Sequence, residues 1–326
     1  MIGLSMGGDG AQAVEGMQVQ QHHGVTWVDV RRANSDVLAR LEREYHLHPV
    51  HLTESVQNVQ HTEVERESDY LFLVLHFPVF EPHTDKIFAG QMGVFLGKNY
   101  LVTIHAESSP FINDLYATCQ RSNEQAAQYF GHGSARLLQA LISRLLGSIE
   151  GMTGLVENEL DGIEGVVFEN TTSDAQRIGR LRQKIIRLRR LIGPKRSLLE
   201  DLASQIDSFA GPGLAKYYSS NVKMVNRLWE AIEEAKETIE IYKDADFTTS
   251  TERTNQTLAI LTLVFTFTIP ITVAGTLYGM NVPLPGGLVT GAWRFFGTYT
   301  TFMVLLGLSL ALAVGMFVYF RKKKWF

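Results

Sequence analysis

Two long runs without a charged residue constrain this 326-residue chain more than any other feature. Residues 258–277 (LAILTLVFTFTIPITVAGTL) and 298–320 (TYTTFMVLLGLSLALAVGMFVYF) make up runs of 20 and 23 residues. A helix rises about 1.5 Å per residue, so each run can cross a hydrocarbon core of roughly 30 Å. The core helices of water-soluble proteins rarely stay uncharged over such a length twice in succession. The sequence therefore predicts two transmembrane helices.

The charges that flank these runs predict how they are oriented. The connection 281–297 contains Arg294 as its only charged residue, whereas the second run leads directly into Arg321 and three lysines. Basic residues concentrate on the cytoplasmic side of a membrane, and two spans return the chain to the side from which it started. Residues 1–30 contain no lysine or arginine and no apolar core of a signal sequence. We expect a protein that crosses the lipid bilayer of the cell (inner) membrane twice, with both termini in the cytoplasm.

The part of the chain before the first span begins with mixed elements. Short stretches rich in valine, phenylalanine, tyrosine and threonine predict strands, and the last of them contains the turn sequence GKN, so it is expected to form a hairpin. The predicted strands cover residues 25–30, 70–80 and 92–107, and short helices are predicted at 35–45 and 50–58. We expect an α+β cytosolic domain at 25–132, with a mixed sheet and flanking helices, preceded by a disordered tail at 1–24.

After Gly133 the apolar residues recur at helical spacing, through residues 135–168 and again through 176–206. The sequence Gly-Pro-Gly at 211–213 then predicts a break. The next proline is Pro270, so one helix could run from the cytosol into the first span. The predicted parts are a helical cytosolic domain with a stalk helix at 133–256, a first transmembrane helix at 257–278, an outer loop at 279–297, a second transmembrane helix at 298–320 and a basic tail at 321–326.

Charge is segregated among the predicted helices. Residues 177–196 carry nine basic residues and no acidic one, whereas residues 145–176 carry seven acidic residues and no basic one. A basic helix can bind nucleic acid or anionic lipid. No aromatic residue interrupts the basic run to stack on bases, so no nucleic-acid partner is expected. We expect these basic side chains to pair with acidic residues of neighbouring helices.

The sequence contains no pattern that indicates catalysis or use of ATP. The patterns G-x-x-x-x-G-K-[ST], G-x-S-x-G and H-E-x-x-H are absent, so no enzyme and no cofactor are predicted. His46, His48 and His51 lie close together in EYHLHPVH, a spacing compatible with a metal site but more often found at surfaces and strand edges. The single cysteine, Cys119, fits a reducing compartment.

The first apolar run is the better candidate for the lining of a pore. Two helices per chain cannot enclose an aqueous path, so a pore requires several copies in a ring. Alternating steps of three and four residues along this run select one line, which mixes hydroxyl and amide groups with apolar side chains. The line consists of Asn255, Leu258, Thr262, Phe265, Ile269, Thr272, Thr276 and Gly279. The alternative is that the threonines only bond to their own helix or to a neighbouring one.

At its membrane end the chain resembles a known family. Residues 254–281 (TNQTLAILTLVFTFTIPITVAGTLYGMN), the short loop, the second span and residues 319–326 (YFRKKKWF) are similar to the CorA family of magnesium and cobalt transporters. Weaker similarity extends to FLGKNYLVTIH at 95–105. The resemblance implies a homopentameric channel for divalent cations, with a funnel-shaped cytosolic domain and a stalk helix that continues into the pore. The transported ion would be Mg²⁺, with Co²⁺, Ni²⁺ and Zn²⁺ as further candidates.

The resemblance also implies roles for individual residues. Gly279, Met280 and Asn281 would form the selectivity filter at the outer mouth, and the Asn281 amide would contact the metal ion through its hydration waters. Asn255 corresponds to the pore asparagine of the family. The positions of its hydrophobic constriction correspond to Leu258, Leu261 and Ile269.

Two departures from the family pattern leave alternatives open. In magnesium transporters of the family, the Gly-Met-Asn residues are often followed by M-P-E-L. The outer loop of this chain, residues 279–297, contains no acidic residue. A zinc transporter of the related G-x-N branch is therefore an alternative, and a membrane-anchored scaffold is another. Ser220 and Lys223 occupy the positions of regulatory aspartates, which leaves the cytosolic metal site unassigned. An acidic run nearby is a looser candidate and comprises Glu230, Glu233, Glu234, Glu237, Glu240 and Asp244.

Overall fold

The computed structural model describes residues 16–57, 64–81, 86–106, 109–168, 175–280, 285, 291–297 and 299–322. The strands are β1 (Met17–His22), β2 (Val25–Arg31), β3 (Val64–Arg66), β4 (Tyr70–Glu81), β5 (Lys86–Gly97) and β6 (Tyr100–His105). The helices are α1 (Ser35–Tyr45), α2 (Pro49–Val56), α3 (Pro110–Arg121), α4 (Asn123–Phe130), α5 (Ser134–Phe168), α6 (Ala175–Ala210), α7 (Ala215–Gly279) and α8 (Thr300–Lys322). The chain divides into two compact units, Met1–Ala245 and Asp246–Phe326.

The first unit is built on a mixed sheet of six strands in the order β1-β2-β6-β5-β4-β3. The β2–β6 pair is parallel, and the other neighbouring strands pair antiparallel. Side chains of a strand alternate between faces, so Leu101 of β6 packs into one apolar cluster and Val102 into the other. Helices α1 and α2 cover the Val102 face, and α3 to α6 contribute to the cluster on the Leu101 face. The α+β fold class predicted from the sequence is confirmed.

The longer predicted elements are confirmed. Strands β2 and β4, the β5–β6 hairpin, and helices α1, α2, α5, α6, α7 and α8 lie where the sequence patterns indicate. The break at 211–213 is also present, with Gly211 and Gly213 at φ angles of 107° and 95°. The Asp207 carboxylate closes this turn, because its Oδ1 accepts hydrogen bonds from the backbone N–H groups of Leu214 at 2.8 Å and Ala215 at 2.7 Å. These bonds, the one from Ala215 above all, lower the pKa of Asp207.

One correction concerns the segment 1–24, which was expected to be disordered. Its residues Met17–His22 form β1, which pairs with β2 along its whole length. The connecting residues His23 and Gly24 have φ angles of 51° and 79°, the left-handed conformation that a two-residue hairpin turn requires. The glutamine-rich sequence of β1 carries only a weak apolar pattern, which does not by itself indicate a strand. The pairing of β1 with β2 fixes its extended conformation. The expectation for residues 1–15 lies outside the described residues.

The basic face of α6 is paired with acidic residues on both neighbouring helices. Lys184 Nζ donates to Glu159 of α5 at 2.7 Å, and Arg182 Nε donates to Glu240 of α7 at 2.5 Å. Arg189 pairs with Glu233 of α7. The hydrogen bond from Arg189 is the largest cause of the lowered pKa of Glu233, and the bonds from Lys243 and then Arg182 lower that of Glu240. The predicted pairing of the basic run with acidic neighbours is confirmed.

Cys119 and Lys195 are both buried in this unit, and burial shifts the pKa of each. Cys119 of α3 is buried, and its burial raises the pKa of the thiol to about 11. Lys195 of α6 is 1% exposed, and its Nζ donates to the Leu191 carbonyl at 2.5 Å. Burial lowers the pKa of the Lys195 ammonium to about 7.

Replacing Lys195 by methionine should remove a pH dependence of stability. The folded-state pKa lies below the unfolded value, so the unfolded chain binds more protons between about pH 7 and 10 and stability rises with pH there. This rise is at most about 1.4 kcal/mol per pH unit for one proton. Thermal unfolding of the detergent-solubilised full chain at several pH values between about 7 and 9 should show a smaller rise in Lys195→Met. Equal rises in both proteins would contradict the assignment.

The second unit contains the apolar end of α7, which includes Pro270, and helix α8. Both α7 and α8 are long and apolar enough to cross a membrane. Most of their apolar side chains in this unit are exposed, and Phe267 contacts Phe317 with ring centroids 6.4 Å apart. Exposed apolar side chains along a helix are typical of a surface that faces lipid or another subunit.

Candidate functional site

The candidate conducting surface is one line of side chains along the apolar end of α7. At about 100° per residue, positions separated by three and four residues fall within an arc of roughly 120°. The positions of this line, together with Leu261 beside it, lie on this continuous helix and are exposed. They are Asn255, Leu258, Leu261, Thr262, Phe265, Ile269, Thr272, Thr276 and Gly279.

The threonine hydroxyls on this line donate to their own helix. Thr262 donates to the Leu258 carbonyl at 2.8 Å, Thr272 to Thr268 at 2.9 Å and Thr276 to Thr272 at 2.7 Å. The local bonding that the sequence left as an alternative is therefore present. A hydroxyl whose proton is used in this way still has acceptor lone pairs on its oxygen. The line thus presents acceptors, which suit the hydrogens of water bound to a cation.

The helix ends inside the Y-G-M-N motif. Gly279 is the last residue of α7, and the Met280 N–H donates to the Leu277 carbonyl at 3.2 Å. A side chain at Gly279 would meet no atom within 4 Å, and Met280 is 53% exposed. The third predicted filter residue, Asn281, lies outside the described residues. Gly279 and Met280, two of the three residues predicted to form the filter, thus lie at the end of the candidate line.

Tyr278 makes a hydrogen bond at this end of α7, although its sequence position predicted no role for it. Its hydroxyl donates to the Pro285 carbonyl at 2.8 Å, which joins the end of α7 to the following loop. An aromatic ring with a polar tip is typical of the end of a membrane span. That signal is present in the sequence, but the partner seven residues later cannot be identified from it.

The stalk positions of interest lie on the exposed face of α7 in the first unit. Ser220 and Lys223 line a shallow depression of about 580 Å³ together with Asn226, Arg227 and Glu230. Lys223 and Arg227 place two positive charges there beside one carboxylate. Two members of the acidic run are already paired with basic side chains, Glu233 with Arg189 and Glu240 with Arg182 and Lys243. Within the described ranges, no group of three or more histidine, cysteine or acidic residues is arranged to hold a metal ion.

The histidines at 46–51 have structural roles. His46 ends α1 in the left-handed conformation, and His48 caps α2, its Nδ1 accepting from the Val50 N–H at 3.3 Å. His51 is buried, where its ring nitrogens lie 2.8 Å from the Tyr70 hydroxyl and 3.1 Å from Glu65 Oε2. His46 therefore ends a helix through its backbone, the His48 ring caps a helix, and the His51 ring belongs to a buried hydrogen-bond network.

Comparisons with known proteins agree with this architecture. Residues 22–322 match the family described as CorA-like Mg²⁺ transporter protein. The cobalt/magnesium transport protein CorA of Thermotoga maritima is 22% identical over 92% of this chain and 83% of its own length. YfjQ of Bacillus subtilis, described as a metal ion transporter, is 26% identical over 92% of this chain and 89% of its own length. The solved CorA magnesium transporter of Methanocaldococcus jannaschii has a TM-score of 0.76 at 18% identity, covering 97% of this chain and 95% of that one.

The match in structure supports the fold, and the family match covers almost the whole chain, including the candidate line and both apolar helices. The protein therefore belongs to the CorA-like Mg²⁺ transporter family, and it is a divalent cation transporter of that family rather than an enzyme.

Proposed function

We propose that five copies of this chain form a channel for the passive uptake of Mg²⁺, with Co²⁺ as a second substrate. One observation carries the proposal: a single uninterrupted helix, α7, exposes a line of hydroxyl, amide and apolar side chains and ends inside Gly-Met-Asn. Two spans cannot enclose water by themselves, so identical lines from several copies must face one another. The cobalt/magnesium and magnesium transport named for the Thermotoga and Methanocaldococcus relatives supports the choice of ions.

The proposed filter is Gly279, Met280 and Asn281. Mg²⁺ gives up its inner waters reluctantly, so a fast outer site should hold the hydrated ion without stripping it. A ring of Asn281 amide oxygens would accept hydrogen bonds from those waters, and the threonine oxygens on α7 would do the same further along. Neutral acceptors bind a divalent ion less tightly than carboxylates, which favours release.

The proposed gate is apolar. Leu258, Leu261 and Ile269 are 54%, 47% and 55% exposed on the single helix, a surface that copies arranged in a ring would turn toward one another. A narrow apolar constriction expels water and blocks ions without any charged group. Asn255 lies beyond this constriction, at the end of the line opposite the filter.

We further propose that the chain has the membrane orientation and the division into cytoplasmic and membrane segments that its sequence predicts. Residues 25–132 and 133–256 would lie in the cytoplasm, and α8 would return the chain there through Arg321 and Lys322. In the inner membrane of a cell this orientation places the Gly-Met-Asn residues outside. A potential of about 100 mV, negative inside, then supplies about 4.6 kcal/mol for each divalent ion that enters.

Reconstitution into liposomes tests the proposal. We expect proteoliposomes loaded with a Mg²⁺ indicator to show uptake that a K⁺ diffusion potential accelerates, and native mass spectrometry to give five copies. Competition by Co²⁺, Ni²⁺ and Zn²⁺ then ranks the ions. Faster flux of Zn²⁺ than of Mg²⁺ would favour the G-x-N alternative, and no flux above that of protein-free liposomes would favour a scaffold.

A separate prediction concerns closure by cytosolic Mg²⁺. With Ser220 and Lys223 in place of carboxylates, protease protection of the stalk should require more Mg²⁺ than in an aspartate-bearing relative, because a lysine repels the ion. Lys223→Asp should lower the Mg²⁺ concentration at which protection begins, and Lys223→Gln, which removes the charge only, should change it less. A steep submillimolar response of the wild-type protein, abolished by change of Ser220 or Lys223, would refute this prediction.

A further inference from the structure

A cavity of about 330 Å³ lies in the first unit at the point where β2 and β6 end. These strands are parallel neighbours, and their last paired residues are Arg31 and His105. Arg32, Ala33 and Ala106, which follow the strands, form part of the cavity wall. The volume is near the lower end of the range found for small-molecule sites, roughly 300–1,000 Å³.

The chain leaves the two parallel strands toward opposite faces of the sheet. Strand β2 leads into α1, whose Val37 packs in the cluster with Val30, whereas β6 leads into α3, whose Ile112 packs in the cluster with Trp27. Such a divergence opens a crevice at the carboxyl ends of the strands, which is where ligands bind in open α/β sheets. The cavity occupies the position that this rule specifies.

Arg32 adopts a strained conformation at this crevice. Its φ angle is 57°, and its backbone N–H donates to the His105 carbonyl at 2.9 Å. The left-handed region is unfavourable for a long side chain and is more readily occupied by glycine or asparagine. Strain of this kind clusters at functional sites. An arginine at a position that suits asparagine better indicates a use for its guanidinium.

The charge and polarity of the wall define what could bind. Among the described residues that line the cavity, Arg32 carries the only permanent charge. The His105 ring is fully buried beside Asp29, with Nε2 3.2 Å from Oδ1. At the end of α2, the Glu54 and Gln57 carbonyls accept from Gln91 Nε2 at 2.9 and 2.6 Å, so these oxygens are already satisfied.

The rest of the wall includes aliphatic side chains. Val56, Ala89 and Ile104 line the cavity together with Arg32. A guanidinium binds carboxylate and phosphate groups through paired hydrogen bonds. We propose that this crevice binds a small organic anion, with its carboxylate or phosphate on Arg32 and its aliphatic body against Val56, Ala89 and Ile104. The inference does not depend on ion conduction by the second unit.

Calorimetric titration of the 326-residue chain in lipid nanodiscs tests the proposal, with empty nanodiscs subtracted. The probes are hexanoate and hexyl phosphate, which distinguish a carboxylate from a phosphate source, and hexanol is the neutral control. We expect at least one of the two anions to bind saturably at one site per chain, and hexanol to bind at least about tenfold more weakly, the factor that corresponds to the loss of one charged hydrogen bond.

Two variants and a control complete the experiment. Arg32→Asn removes the guanidinium at a position that asparagine tolerates, and Ala89→Leu fills the cavity without a change of charge. Each should weaken anion binding at least about tenfold, whereas Arg40→Asn, on α1 and not among the cavity-lining residues, should leave it unchanged. No saturable binding of either anion, or equal binding by wild type and Arg32→Asn, would overturn the proposal. An unfolding temperature of Arg32→Asn well below that of the wild type would overturn it too, by assigning Arg32 a structural role.

Discussion

Replacement of Asn281 by glycine is expected to lower Mg²⁺ flux into liposomes by at least about tenfold, because the waters of the entering ion lose their amide acceptors. The ring of chains should still assemble, since glycine is well accepted directly after the end of a helix. Flux and native mass are therefore measured on the same preparation. A fall in flux from intact oligomers would assign Asn281 to ion selection.

The competing role for Asn281 is that of a helix cap. Asparagine and glycine both serve at the position after a helix end, so a pure cap predicts near-normal flux in Asn281→Gly. That result would remove Asn281 from the filter. Asn281→Asp provides a contrast, because a ring of added carboxylates should bind the divalent ion more tightly and slow its release, which lowers the maximal flux while raising apparent affinity.

Replacement of Leu261 by asparagine should raise ion leak in the closed state. If Leu258, Leu261 and Ile269 exclude water from a narrow constriction, an amide at the middle position allows water to enter and lowers the barrier to ions. We expect resting Mg²⁺ flux at high internal Mg²⁺ to rise at least about threefold, a change that corresponds to less than 1 kcal/mol of barrier. Release of Mg²⁺ from preloaded proteoliposomes into an external solution that contains the indicator measures this leak.

Leu261→Met is the matched control for this prediction. Methionine keeps the volume and apolar character of leucine, so resting flux should remain at the wild-type level. If Leu261→Asn assembles normally and its resting flux is unchanged, Leu261 is not part of the gate. The same pair of substitutions at Ile260, one residue along the helix and off the candidate line, should have little effect on leak.

The sequence predicted those elements that carry their own repeating signal. The apolar spacing of α5, α6 and α7 and the uncharged length of the two spans are visible in any window of the chain. Strand β1 was missed because its Gln-rich sequence has little apolar pattern and is held by β2. Helices α3 and α4 received no assignment, although Phe111, Ile112 and Leu115 of α3 pack in the core of the first unit.

The candidate site was predictable only in part. A line along one helix follows from spacing, since helical geometry converts steps of three and four residues into one face. The crevice at Arg32 was not predictable, because it depends on which strands pair. The parallel pairing of β2 with β6 brings residues near positions 32 and 105 together, and the pairing of β5 with β6 adds the residues near position 89. The sequence predicted that the basic residues of α6 pair with acidic residues of neighbouring helices. It did not identify Glu159, Glu233 and Glu240 as the partners, because these depend on how three helices pack.

The burial of Cys119 has a practical consequence for chemical labelling. Its pKa of about 11 leaves roughly one thiol in ten thousand ionised at neutral pH, and its side chain is inaccessible to a maleimide in the folded protein. Because it is the only cysteine of the chain, a second one introduced at Thr262, Thr272 or Thr276 would be the only reactive thiol. Water-soluble and membrane-permeant reagents could then map, position by position, which side of α7 meets water, with the native cysteine left in place.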